Sequence, residues 1–259
     1  MLAYDRYYGA IAQAAAELAD LVPGTDPAQQ VPTCPDWTFA DLVAHVGRAH
    51  RWAITIVERR ATEFVPFEEI DDLDVPEDLV ERAEWLRKGA WRLAHTIADA
   101  GPETPVWTWA DARHAGFWAR RMAHETSIHS ADAALTAGRT VSLPADLSAD
   151  GVSEMLGFFA SPGVVERKPS LAAALRGNGE TLHFHSTDGW LGRDGEWVVT
   201  RTPDGVEWRH GHGKADVAVR GDAADLVLLL SRRIPLESPA IEVLGDRALI
   251  EHWLANTAF

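Results

Sequence analysis

The hydrophobic period of this chain changes once, after Leu143, and that change limits the folds open to it. Before it, apolar residues recur at three- and four-residue steps, the signature of helices with one buried face. After it, they alternate with polar residues in short runs broken by glycine, the signature of half-buried strands. A chain written this way is expected to build an N-terminal helical bundle over residues 1–143 and a smaller α+β domain over 144–259, a fold class of α plus α+β.

The helical half divides at its breakers. Residues 4–21 are alanine-rich and end before Pro23, Gly24 and Asp26. The run VPTCPDWTFADLVAHVGRAHRWAITIVERR starts a second helix behind Pro35 and Asp36, with Asp36 or Thr38 placed to cap it. Leu42, Val46, Ala49 and Ala53 form its apolar stripe, and His45 and Trp52 fall beside that stripe. A third helix is expected over 77–98, with Leu79, Ala83, Leu86, Ala90, Leu93 and Ile97 facing inward. Gly101, Pro102 and Pro105 mark a loop. A fourth helix runs over 113–137 and stops at Gly138.

In the second half a short helix is expected over 148–159, and a further short helical stretch after Arg167. TLHFHSTDGW, GEWVVTRTPDG, VEWRHG and KADVAVRG then read as strands joined by tight turns at the Asp-Gly pairs beginning at Asp188, Asp194 and Asp204. A helix over 222–233, a strand AIEVLG and a last helix over 246–255 complete it.

Composition narrows the function. The formal charge of −15 repels phosphate backbones, so nucleic acid is not an expected partner, while a local arginine still allows a small anionic substrate. The apolar runs fall well short of the roughly 20 residues that a bilayer crossing needs, so no membrane association is expected. The N-terminal MLAYDRYYGAIAQAAAELAD lacks a basic segment before an apolar core and does not read as a signal peptide. Cys34 is the one cysteine, so no intrachain disulfide forms and a cytoplasmic location fits. No obligate protein partner is evident. Seven of the eleven tryptophans lie before residue 120, where they serve packing or flank a pocket.

The residues that carry chemistry lie on the second and fourth helices. In RMAHETSIHSADA, Glu125 and His129 are four residues apart, on one helical face and one turn from each other. His45 interrupts an otherwise apolar stripe on the second helix. Bundles build metal sites from such inward-facing groups, and three ligands from two helices leave a fourth position open. The mixed His/Glu set suits Zn2+, with nickel, cobalt and iron also compatible. Asp132 continues the same face and is placed to orient a ligand imidazole or accept a proton. The spacing alone also fits a buried, hydrogen-bonded histidine beside a salt-bridged glutamate. His124 points about 100° away from Glu125, and the five-residue step from His124 to His129 does not make the H-E-x-x-H of zinc proteases. His50 falls on another face.

The run CPDWTFADLVAHVGRAHRW, followed about 70 residues later by RMAHETSIHSADA, resembles the mycothiol-dependent maleylpyruvate isomerase family, whose N-terminal half is a DinB-like metal-binding four-helix bundle. HGKADVAVRGDAADLVLLLSRR and IEVLGDRALIEHWL are similar to that family's C-terminal domain. The resemblance implies a divalent metal, usually zinc, on His45, Glu125 and His129. Glu125 stands where many DinB-like bundles have a histidine. The resemblance further implies mycothiol as the thiol cofactor, its sulfur at the open metal position and its pKa lowered so that thiolate forms near neutral pH. Addition of the thiolate to a cis-enone such as maleylpyruvate, rotation about the resulting single bond and elimination would give the trans isomer, fumarylpyruvate. A related thiol transferase would stop after transfer to an electrophile. Competing readings are a non-enzymatic metal- or ligand-binding regulator and a hydrolase using metal-bound water.

Around this centre, Arg48 is a candidate for pairing a substrate carboxylate, against a surface salt bridge. Trp52 is a candidate for bordering the cofactor pocket, against a core ring. Arg220, Arg232 and Arg233 are candidates for reaching an anionic group from the second domain, Arg233 being assigned to the cofactor. His183 and His185 on one strand face, with His210 and His212 in HGHG, resemble a second ligand set, but no metal site is expected there, because no supporting carboxylate lies nearby in sequence. Cys34, before Pro35 in a loop, shows no activating partner and reads as a small buried group.

Overall fold

In a computed structural model, which describes residues 1–257, the chain forms two compact units. One comprises 1–108 and 112–142, the other 109–111 and 143–259.

The first unit is helical. Helix α1 (Tyr4–Leu21) is followed by a hairpin of β1 (Gln30–Val31) and β2 (Cys34–Thr38), paired antiparallel with Val31 opposite Cys34. Then come α2 (Phe39–Glu58), α3 (Leu79–Ala100) and α4 (Ala115–Thr136). Cys34, expected in a loop, thus lies on a short strand. Thr38, not Asp36, caps α2: its hydroxyl accepts from the Asp41 N–H at 3.2 Å, and the Asp41 carboxylate accepts from the Thr38 N–H at 2.9 Å. This reciprocal box fixes the register of the helix that carries His45. Helix α3 starts two residues later than the periodicity predicts because Asp78 accepts from the N–H groups of Val80 and Glu81.

Apolar spacing explains the packing. In α1, Tyr7, Ile11, Ala14, Ala15 and Leu18 are buried along one face. Helix α4 is different, with burial on nearly every side from Ala115 to Thr136, which makes it the innermost helix of the bundle. That position explains how it can present His129 and Asp132, both buried, inside the protein. Helices α2 and α3 meet at a glycine. A Cβ on Gly47 would sit 1.9 Å from the Trp85 ring. Arg51 is buried beside it, its guanidinium carbon 3.8 Å from the Trp85 ring centre. It donates to the carbonyls of Gly47 (3.1 Å) and Trp85 (3.3 Å) and to Asp72 (2.9 Å). Pairing and three acceptors stabilise a charge that burial alone would penalise.

The second unit begins with α5 (Ala145–Ala160), α6 (Pro162–Arg167) and α7 (Pro169–Leu175). Strands β3 (Thr181–Ser186), β4 (Glu196–Thr202), β5 (Gly205–His210) and β6 (Val217–Gly221) follow, then α8 (Ala223–Leu230), β7 (Glu242–Gly245) and α9 (Arg247–Asn256). The sheet order is β5-β4-β3-β6-β7, with β3 and β6 parallel and the other neighbours antiparallel. Register places Leu182 opposite Val199 and Val217, and Phe184 opposite Trp197 and Val219. All six are fully buried, so one sheet face is the core. Trp197 on that face donates to Ser153 of α5 at 2.9 Å. The alternate residues of β3, His183 and His185, lie on the opposite face.

Three sequence expectations need correction here. Only Asp204-Gly205 forms a tight hairpin turn, between Thr202 and Gly205 of β4 and β5. The pairs at Asp188 and Asp194 bound a 3-10 segment, Gly189–Gly195, that joins β3 to β4. Helix α8 ends at Leu230 rather than 233, because Arg232 turns left-handed (φ 68°) and the Arg233 N–H returns to the Leu228 carbonyl at 2.7 Å. Residues 109–111, read as part of the bundle's loop, pack in the second unit: the Trp109 ring lies 4.6 Å from Phe158, and Asp111 accepts from the Ser161 hydroxyl at 2.6 Å. Among the described residues no helix is long and apolar enough to cross a membrane.

Candidate metal centre

Helices α2 and α4 bring His45, Glu125 and His129 together. One potential ligand atom from each lies within 4.8 Å of the others. His45 Nε2 is 2.9 Å from Glu125 Oε1, and His129 Nε2 is 3.3 Å from the same oxygen. The two imidazole centres are 4.9 Å apart with planes at 78°, so their nitrogens face one another across the carboxylate. The site grades from His45, partly open to solvent, to His129, which is buried.

A shell of hydrogen bonds holds this arrangement. Asp132, fully buried, accepts from His129 Nδ1 at 2.8 Å. Its other oxygen accepts from the Thr33 hydroxyl at 2.5 Å. That network assigns the proton to Nδ1 and leaves Nε2 to face Glu125. Arg121, one turn before Glu125, lies 3.3 Å from Oε2, the oxygen that does not face the histidines. The Trp37 ring covers the cluster, 4.6 Å from His45 and 5.6 Å from His129.

Electrostatics follow from this packing. Burial opposes charge on His129, but hydrogen bonds and negative charge from Asp132 and Glu125 outweigh it and push the imidazole up to about 9. Burial also opposes ionisation of Glu125, yet hydrogen bonds from His129 and His45 and the charges of His129 and Arg121 hold it well below the usual carboxylate range. Without a metal, His129 and Glu125 are therefore held as an ion pair. The donor set also fits a divalent cation: two imidazole nitrogens and one carboxylate oxygen, convergent, with a buried carboxylate behind one imidazole.

The remaining candidates are placed elsewhere. Arg48 is exposed and donates to the Leu73 carbonyl at 3.4 Å. Trp52 donates to the Val65 carbonyl at 2.9 Å and sits among Phe64, Phe67, Trp107 and Trp118, with ring centres 5.1–6.0 Å away. The ring at the triad is Trp37 instead. His50 is buried against the Thr126 hydroxyl at 2.8 Å, and burial with the neighbouring Arg51 charge pushes it down to about 3. In the second unit, Arg220 pairs with Glu242 at 2.9 Å. Arg232 donates to the Leu230 carbonyl (2.9 Å), the Thr257 hydroxyl (2.9 Å) and the Leu254 carbonyl, which ties the ends of α8 and α9. Arg233 donates to the Ser231 carbonyl at 2.6 Å.

Sequence reasoning missed four groups at this centre: Thr33, Cys34, Trp37 and Arg121. Cys34 has the partners its sequence context did not reveal, since its Sγ lies 3.8 Å from Asp132 Oδ2 and within 4.8 Å of a His129 nitrogen. The available signal was the CPDW run immediately before the His45 helix, which a hairpin folds back toward α4. The second histidine group also differs from expectation: Glu196, not adjacent in sequence, supplies a carboxylate to His183, His185 and His212.

Comparison with known proteins agrees with this architecture. Residues 8–134 match the model of the mycothiol maleylpyruvate isomerase N-terminal domain, and 146–252 match that of the C-terminal domain of the same family. Two solved structures share the fold across 95% of both chains. They are a mycothiol-dependent maleylpyruvate isomerase, at 16% identity and TM-score 0.53, and a histidine-to-alanine mutant of a mycothiol-dependent maleylpyruvate isomerase, at 17% and 0.52. No curated protein matches the chain.

Proposed function

Because the chain belongs to the mycothiol maleylpyruvate isomerase family, a family of enzymes, we propose that it is a metal-dependent isomerase that uses mycothiol on a maleylpyruvate-like cis-enone. The observation that carries the metal part of this reading is the convergence of His45 Nε2 and His129 Nε2 on Glu125 Oε1, at 2.9 and 3.3 Å. Those three would hold the ion, for which Zn2+ is the best fit. Bound there, a divalent ion supplies Lewis acidity and stabilises a thiolate near neutral pH.

The protein's own groups prepare that chemistry. Asp132 holds the His129 proton at Nδ1 and so keeps Nε2 available as a donor. Thr33 fixes Asp132 by its second oxygen. Arg121 engages the outer oxygen of Glu125, which orients Oε1 toward the imidazoles. Trp37 shields the pair of histidines from water on one side, and a drier site strengthens each electrostatic contact. Arg48 is assigned to an anionic substrate on the strength of its place one turn after His45 on α2.

The test is an isomerisation assay with purified protein, mycothiol and maleylpyruvate. Formation of fumarylpyruvate should need the thiol, stop on chelation and return with Zn2+. Turnover without thiol would point to a metal-water hydrolase instead. A stable thioether product would identify an S-transferase, and metal binding without turnover a regulator.

A further inference from the structure

Strands β3 and β4 carry a second convergence of metal-ligating groups that the proposed reaction does not use. His183 and His185, two residues apart, project from the same face of β3, opposite the core residues Leu182 and Phe184. Glu196 opens β4 directly across from His185 in the register. The fourth group arrives from the connection after β5. There Gly211 adopts φ 122°, a region that disfavours other residues, and its N–H returns to the Glu196 carbonyl at 3.0 Å. This reversal carries His212 back over the sheet.

All three imidazoles meet one oxygen. His212 Nδ1, His183 Nε2 and His185 Nδ1 lie 2.7, 3.0 and 3.3 Å from Glu196 Oε2. The ring centres are 5.1–5.9 Å apart, and the planes cross at 83–89°. Three mutually perpendicular imidazoles with nitrogens aimed at one point are the arrangement of ligands around a cation. Arg220, the register partner of His185 on β6, is engaged by Glu242 on β7. Imidazole-rich sets select borderline transition metals over calcium or magnesium, which take oxygen ligands.

We infer that His183, His185, Glu196 and His212 form a second binding site for a divalent transition metal, zinc by donor chemistry. Four protein donors complete a tetrahedral shell, the pattern of a structural site. The ion would fasten the connection between β5 and β6 to the sheet.

The test uses the full chain without a polyhistidine tag, stripped by chelation and titrated with Zn2+ against a chromophoric chelator. Substitution His212→Ala changes an exposed side chain, 75% accessible, and so leaves the core untouched. Glu196→Gln gives a second, near-isosteric variant. The His45→Ala protein, whose first centre is disabled, is expected to bind one equivalent of zinc. Adding His212→Ala or Glu196→Gln to that protein should weaken this binding about tenfold or more. Zinc should also raise the Tm of the His45→Ala protein and not of the double variants. Failure of the isomerase reading alone would leave these results intact. Zinc affinity and thermal shift that are the same with and without His212 would overturn the inference, because the cluster would then be only a carboxylate shared by three imidazoles.

Discussion

Asp132 is buried, ionisable and placed behind His129 rather than beside the open part of the centre, which makes it a positioning residue. Replacing it by asparagine keeps its size and removes the negative charge that holds the His129 proton on Nδ1. The expected result is a 10- to 100-fold (order-of-magnitude) loss of zinc affinity at the triad, read by competition titration in the Glu196→Gln background. Unchanged affinity would remove Asp132 from the metal's support. The same residues set a pH dependence. His129 is raised from 6.5 to about 9, so in the metal-free protein its stabilising contribution is complete below 6.5 and disappears as pH rises through about 9. Glu125 is lowered from 4.5, so its contribution is complete above 4.5 and is lost on acidification. Zinc held at the triad would displace the proton of the His129 imidazolium, so its affinity should increase as pH rises toward 9. Melting curves of stripped and zinc-loaded protein across pH 5–9 should diverge with rising pH; parallel profiles would contradict the assignment.

At the scale of elements, the centre depends on how α2 meets its neighbours. Gly47 lies between the turns of α2 that present His45 and Arg51, against Trp85 of α3. Gly47→Ala should cost about 1–3 kcal/mol through overpacking, seen as a lower Tm by circular dichroism. A stability within about 0.5 kcal/mol of wild type would show that α3 shifts without strain. Much of this level was legible in the sequence, because helical periodicity places His45, Glu125 and His129 on two helices and caps and glycines mark their ends. The Glu196 cluster was not legible, since it needs the register of β3 against β4 and the return of the chain at Gly211. The β-pleat puts His183 and His185 on one face, but nothing in their spacing names the carboxylate opposite. Trp37 and Cys34 escaped for the same reason: their role comes from a two-strand hairpin too short to leave a periodic signal.

For the whole molecule, the change of hydrophobic period corresponds to two architectures, helices without a large sheet and a five-stranded mixed sheet with helices. The net charge of −15 is a property of this scale. It should slow the approach of an anionic substrate, and added salt screens that repulsion within a Debye length of about 8–10 Å. The kcat/KM for a dicarboxylate such as maleylpyruvate is thus expected to rise between low and about 0.15 M ionic strength, and a falling profile would instead locate a dominant positive field at the site. An anomalous difference map at the zinc edge, from crystals of the zinc-loaded protein, tests whether the triad holds the ion. A peak is expected at about 2.0–2.2 Å from His45 Nε2, His129 Nε2 and a Glu125 carboxylate oxygen. A fully loaded crystal with no density at that position would contradict the metal assignment.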